Sequence, residues 1–238
     1  MDTSKTSQHI SQQFDEEMEA LRNQVLKMGG LVEQQIKGAI EALLDTNAQG
    51  AEKIILRDHK VNSLEVAIDE ACTQILARRQ PAASDLRMVI AVIKTITDLE
   101  RIGDEAERIA IMALNLAEDD AGFHSRYAGI RHLGDQVKRM VHDVLDAYAR
   151  LDVDAAIKVV RDDEKADKEY QDLIRMLITY MMEDPRTISE VLDVIWAARA
   201  LERIGDHAQN IAEYVIYLVK GKDIRHLDLD EVEKDILS

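Results

Sequence analysis

Residues 99–110 read LERIGDEAERIA and residues 201–212 read LERIGDHAQNIA. Nine of these twelve positions are identical, so the chain carries one segment twice. In each copy a Glu and an Asp stand four apart, Glu100 with Asp104 and Glu202 with Asp206. On a helix that spacing stacks the two carboxylates on one face. The residues leading in show which face it is. Val89, Ile93 and Ile96 step by four and three, and the next inward place falls on Glu100; Val191, Ile195 and Ala198 lead in the same way to Glu202. Asp104 and Asp206 follow one turn on, at the flank of the apolar stripe.

The repeat extends beyond the signatures. Gly29 matches Gly134, Lys53 matches Lys158 and Asp58 matches Asp163, all 105 apart, and the signatures are 102 apart. A short length change at the two prolines, Pro81 and Pro185, accounts for the difference. A long period present in two copies indicates a duplicated three-helix unit rather than a solenoid. The expected architecture is therefore all-α, six long helices in two tandem, pseudo-symmetric three-helix bundles. Residues 1–120 form the first bundle and 121–238 the second, with the boundary at Glu118 to Gly122.

Helical periodicity supports this nearly throughout. Phe14, Met18, Leu21, Val25, Met28, Val32, Ile36, Ile40 and Leu43 mark one face of a long first helix. Gly29-Gly30 interrupts it, at about 1 kcal/mol per glycine relative to alanine, which predicts a bend or a close helix crossing. After a polar stretch from Asp45 to Gly50, a second helix begins near Ala51 with Ile54, Val61, Ile68 and Ile75 at intervals of seven. Asp58 lies on that stripe. Pro81 and Pro185 each precede a new apolar run, where proline in the first turn loses no hydrogen bond, and Asp184-Pro185 reads as a cap followed by the first helical position. A third helix continues through the first signature to about Ala117. The fourth (Leu133, Val137, Met140, Val144, Tyr148), fifth (Val159, Ala166, Tyr170, Leu173, Leu177) and sixth repeat the plan. The Met-rich stretch from Met176 to Met182 reads as bundle core or interface, core first because Met commonly fills core gaps. Lys222 to Ser238 reads as a charged tail, with a short helical turn from Leu229 to Leu237.

Composition narrows the function. The formal net charge is −16 over 238 residues and aromatics are 4%. Nucleic-acid binding needs clustered Lys and Arg and stacking platforms, and adhesion to anionic lipid needs a basic face. Neither is present; a partner with a basic patch fits better. No apolar run reaches the roughly 18 residues of a membrane span, so direct membrane insertion is not expected. The lone Cys72 excludes an internal disulfide, and the N-terminal stretch is polar. A cytoplasmic protein is the expectation.

An unpaired carboxylate facing a core costs several kcal/mol and must find a cation, a proton or a donor. Asp58 and Asp163 occupy apolar-stripe positions, and Asp163 is followed one turn later by Asp167. Arg57, Arg101, Arg161 and Arg203 are nearby partners, and a wet bundle edge would also suffice. The alternative is a hard-cation site, because clustered carboxylates supply the oxygens that divalent or iron ions accept. Gly103 and Gly205 inside the signatures predict close approach of a neighbouring helix or ligand. A ferritin-like di-iron enzyme would also use carboxylates inside a bundle, but it requires Glu-x-x-His pairs, and the sequence has none. His59 and His207 each directly follow an Asp, the wrong offset for a shared face. No nucleophile elbow, phosphate-cradling glycine loop or CxxC is present, so an enzyme is not expected.

The two LERIGD segments, LERIGDHAQNIAEYVIYLVKG and RRQPAASDLR (Arg78 to Arg87) closely resemble the PhoU family of bacterial phosphate-signalling accessory proteins, over essentially the whole chain. The resemblance implies a cytoplasmic, often dimeric regulator. It would act by contact with the ATPase subunit of the phosphate ABC transporter and with the phosphate-regulon sensor histidine kinase, holding the starvation response off and limiting uptake. It also implies metal binding at Glu/Asp-x-x-x-Asp motifs, which here are Glu100 with Asp104, Glu202 with Asp206, and Asp163 with Asp167, with Asp58 as the corresponding residue of the second helix. Asn62 stands where the fifth helix has Asp167, and Arg108 stands where the second signature has Asn210. On that count the C-terminal site is expected to bind metal more tightly.

Overall fold

The computed structural model describes residues 3–81, 83–118 and 128–225, with side chains from residue 13 onward. All regular structure among the described residues is helical: α1 (Thr3–Leu44), α2 (Ala48–Ile55), α3 (His59–Arg79), α4 (Ala83–Glu118), α5 (Ala128–Arg150), α6 (Val153–Glu183) and α7 (Ile188–Lys220), with a 3-10 turn at Pro185–Thr187. These are the six long helices of the sequence, the second of them broken into α2 and α3. The tail after Arg225, including the turn expected at Leu229 to Leu237, and most of the boundary at Glu118 to Gly122 lie outside the described residues.

The break at Leu56 to Asp58 differs from the uninterrupted second helix expected from its apolar sevens. Arg57 N–H donates to the Ile54 carbonyl and Val61 N–H to the Asp58 carbonyl, at 2.9 Å each, three residues back instead of four. Leu56 and Asp58 keep right-handed helical dihedrals. The helix tightens there by one residue, and no Gly or Pro marks the place. α2 begins at Ala48 with Asn47 as its cap, three residues before the expected Ala51, and Pro81 precedes α4 without entering it, while two other helix starts follow their local signals. Asp184 accepts from the Arg186 N–H at 3.2 Å with Pro185 next, and Asp152 accepts from Ala155 N–H at 3.0 Å to start α6.

The apolar stripes meet in one continuous core that runs through both halves. The halves join along two pairs of matching helices, α4 with α7 and α1 with α5. The α1–α5 crossing is reciprocal. A Cβ on Gly29 would stand 2.5 Å from the Leu145 side chain, and one on Gly134 would stand 3.2 Å from Ile40. Ile40 and Leu145 are themselves 105 apart, so each half inserts an aliphatic side chain from the matching position over the other's glycine. Gly29 costs about 1 kcal/mol against alanine, while burying a Leu contributes about 1.5–3 kcal/mol, so the close crossing is favoured over a bend. α1 accordingly runs through without interruption, and Gly30 faces open space. The Met-rich stretch divides: Met176 and Met181 pack against the core, while Met182 is 78% exposed and fills nothing.

Candidate functional site

Two matching clusters of carboxylates form where α4 faces α3 and where α7 faces α6. In the first, one oxygen each from Asp58, Asp104 and Glu107 lies within 4.8 Å of the others; in the second, Asp163, Asp167 and Asp206 are gathered as closely. The signature glycines permit this. A Cβ on Gly205 would stand 2.9 Å from Asp163 Oδ1, and one on Gly103 would stand 3.3 Å from Asp58 Oδ1 and 3.2 Å from Gln35 Oε1. Glycine in each LERIGD segment therefore lets the preceding helix set a buried Asp against the signature helix.

Glu107 was not among the residues expected from sequence, and it changes the comparison between the halves. The first half has Asn62 on α3 and Glu107 on α4; the second has Asp167 on α6 and Gln209 on α7 at the matching places. The third carboxylate has moved from one helix to its neighbour, and each cluster keeps three. The carboxylate count that favoured the C-terminal site is therefore level. Arg108 does not bond Asp104 either: its Nη1 donates to Glu105 Oε1 at 2.9 Å, although its charge still opposes the upward shift of Asp104.

Glu100 and Glu202 lie beside the clusters and belong to neither trio. Glu202 is paired with Arg199, which also stacks 5.9 Å from the Tyr170 ring. Glu100 feels Asp104, Glu65 and Asp58, so the carboxylate face of the first half also includes Glu65, a further residue that sequence periodicity left unassigned.

Burial and mutual repulsion favour the protonated forms. Desolvation, then Asp206, Asp167 and Glu202, push Asp163 up to about 7 from its ordinary 3.8. Asp104, Glu107, Glu100, Glu202 and Asp206 are raised as well, each first by desolvation. Such carboxyls favour a cation that replaces the missing positive charge.

The first cluster also holds amides. Gln35 Nε2 donates to Asp58 Oδ1 at 3.2 Å and Asn62 Nδ2 donates to Asp58 Oδ2 at 3.0 Å, leaving Gln35 Oε1 and Asn62 Oδ1 buried without a partner. An all-oxygen donor set with unsatisfied amide oxygens fits a hard divalent cation. Neither trio includes an imidazole, so the ferritin-like arrangement is not what gathers there. His207 is buried between the halves, with Nδ1 2.7 Å from Asp98 Oδ1 on α4, and His59 sits exposed with Nδ1 2.7 Å from the Leu56 carbonyl. Arg203 likewise reaches across to Glu105 at 3.0 Å. No described helix is long and apolar enough to cross a membrane.

Comparison with known proteins agrees with this duplicated plan. The model of the PhoU domain matches twice, over residues 25–113 and 130–215. The phosphate-specific transport system accessory protein PhoU homolog of Pseudomonas aeruginosa is 52% identical over 228 residues, covering 96% of this chain and 94% of that protein. The phosphate-specific transport system accessory protein PhoU of Escherichia coli (strain K12) is 48% identical over 234 residues, covering 98% and 96%. The crystal structure of PhoU from Pseudomonas aeruginosa superposes with a TM-score of 0.85 over 88% of this chain and 100% of that one. The phosphate transport system regulatory protein PhoU from Streptococcus pneumoniae, 31% identical, gives 0.81 over 88% and 98%. The chain belongs to the PhoU domain family, and its two carboxylate clusters fall one in each copy of that domain.

Proposed function

We propose that this protein is an accessory protein of phosphate transport that restrains the phosphate-starvation response and limits phosphate uptake. It acts by contact with the ATPase subunit of the phosphate ABC transporter and with the sensor histidine kinase. The observation that carries this reading is near-full-length similarity, about half of residues identical, to proteins named for the phosphate-specific transport system. A rigid bundle with a formal net charge of −16 suits partners that present basic patches. The reading is non-enzymatic, with the protein working in the cytoplasm as a homodimer and reaching the membrane through its partners.

In this reading the carboxylate clusters hold divalent or iron ions. Asp58, Asp104 and Glu107 hold one, and Asp163, Asp167 and Asp206 the other. The ion offsets repulsion between carboxylates on neighbouring helices and so ties α3 to α4 and α6 to α7. Raised carboxyl pKa values make that binding proton-competitive.

The test is a phosphate-starvation reporter in phosphate-rich medium, in source cells lacking this gene and complemented with wild type or with Asp163→Asn/Asp206→Asn. The reporter is expected to be high on deletion and silenced by wild type, and the double variant reads whether silencing needs the cluster. A reporter that stays low on deletion would overturn the regulatory reading.

A further inference from the structure

The break between α2 and α3 has a second consequence. Beside it lies a cavity of about 260 Å³ between α1 and the break, lined by Leu31, Gln34, Gln35, Ile54, Arg57, Lys60 and Val61. Its polar lining is two cations and two amides, with no carboxylate, in a chain of formal net charge −16. Gln35 is 4% exposed and anchors the cavity floor, its amide held by Asp58. Arg57 flanks the tightened turn, and Lys60 lies in the first turn of α3.

The second half is built differently at the same place. There Gln136, at the position of Leu31, donates to the Asp162 carbonyl at 3.1 Å and bridges α5 to an unbroken α6. Asp162 stands at the position of Arg57 and pairs with Lys165, at the position of Lys60, at 2.6 Å. Duplication thus supplies an internal comparison: one half spans the place with a neutral bridge and pairs its lysine with Asp162, while the other sets two cations on a cavity.

We infer that the cavity beside the α2–α3 break binds a small tetrahedral oxyanion of the phosphate class, held by Arg57 and Lys60 with Gln34 contributing an amide. Fork-shaped guanidinium and point-charge ammonium groups are the side chains that recognise such ions. The lining given for the cavity has no aromatic ring on which a base could stack, which favours a small oxyanion over a nucleoside. The inference does not depend on metal at the carboxylate clusters.

The test is calorimetric titration of inorganic phosphate into the full-length protein in chelator at constant ionic strength, so that phosphate cannot report through a bound metal. Wild type is expected to show saturable binding of one phosphate per chain. Arg57→Asp/Lys60→Gln, which removes both cations at exposed positions, is expected to bind at least about tenfold more weakly with unchanged circular dichroism. Lys53→Gln, exposed on α2 and outside the cavity, is expected to bind as wild type does. A parallel titration with glycerol phosphate identifies whether the free ion or a phosphoester is preferred. Absence of saturable binding in wild type, equal affinity in the double variant, or an equal loss in Lys53→Gln would overturn the inference.

Discussion

Replacing Asp163 by Asn tests how burial and charge combine in the second cluster. The side chain is 5% exposed, and Asp206, Asp167 and Glu202 surround it, which with desolvation raises its pKa from 3.8 to about 7. Below pH 3.8 the carboxyl is protonated folded and unfolded, and it contributes no pH dependence. Between there and about pH 7 the unfolded chain has released the proton while the native protein keeps it. Unfolding then releases a proton, so stability falls as pH rises, and the full penalty is present above pH 7. At about 1.36 kcal/mol per pKa unit, the interval corresponds to about 4 kcal/mol as an upper bound, shared with its coupled neighbours. Asn cannot ionise and fills nearly the same volume. Urea unfolding in chelator between pH 5 and pH 8.5, which spans about two of those pKa units, is therefore expected to show wild type losing stability with rising pH and Asp163→Asn losing about 1–3 kcal/mol less over that range. Equal slopes in the two proteins would refute the account of Asp163 as a buried carboxyl held near neutrality.

Other expectations follow from packing and from the two clusters. Gly205→Ala gains about 1 kcal/mol of helix propensity but drives a Cβ to 2.9 Å from buried Asp163 Oδ1, an overpacking cost of about 1–3 kcal/mol, whereas Gly30→Ala faces open space and keeps the gain. Thermal melts are expected to place Gly30→Ala about 2–4 °C above wild type and Gly205→Ala below it. Glu107→Gln is expected to weaken divalent-ion binding at the first cluster, and adding Asn62→Asp to restore it, because the second half carries that arrangement; calorimetry with Mn²⁺ reads both. His207→Ala leaves Asp98 buried with only Asn210 and Tyr214 against it, and is expected to cost about 1–3 kcal/mol in chemical unfolding.

The fold was legible because duplication and period 3.6 point to the same answer. Both LERIGD segments continue apolar stripes, so their Glu and Asp had to face inward or flank the core, and the interior glycines pointed to close approach of a neighbouring helix or ligand, which in the structure is that of Asp58 and Asp163. The break at Leu56 to Asp58 was not legible, because a change from four-back to three-back hydrogen bonding needs no special residue. Its only trace was a charged Asp58 on an apolar stripe. Glu107 was missed because each signature was read by itself. The exchange shows only when Asn62 with Glu107 is set against Asp167 with Gln209, two helices at once. The positions of Arg108 and His207 were likewise decided by the α4–α7 seam, where Glu105 and Asp98 act as acceptors.

The central proposal is that the two carboxylate clusters, three carboxylates in each half, are cation sites. Its most direct test is equilibrium binding of Mn²⁺ to the metal-free protein at pH 7.5, counted per chain. The account predicts two tight ions in wild type, one in Asp58→Asn/Asp104→Asn and one in Asp163→Asn/Asp206→Asn, with each variant retaining the other half's affinity. Binding of no ion by wild type, or of two by both double variants, would contradict it.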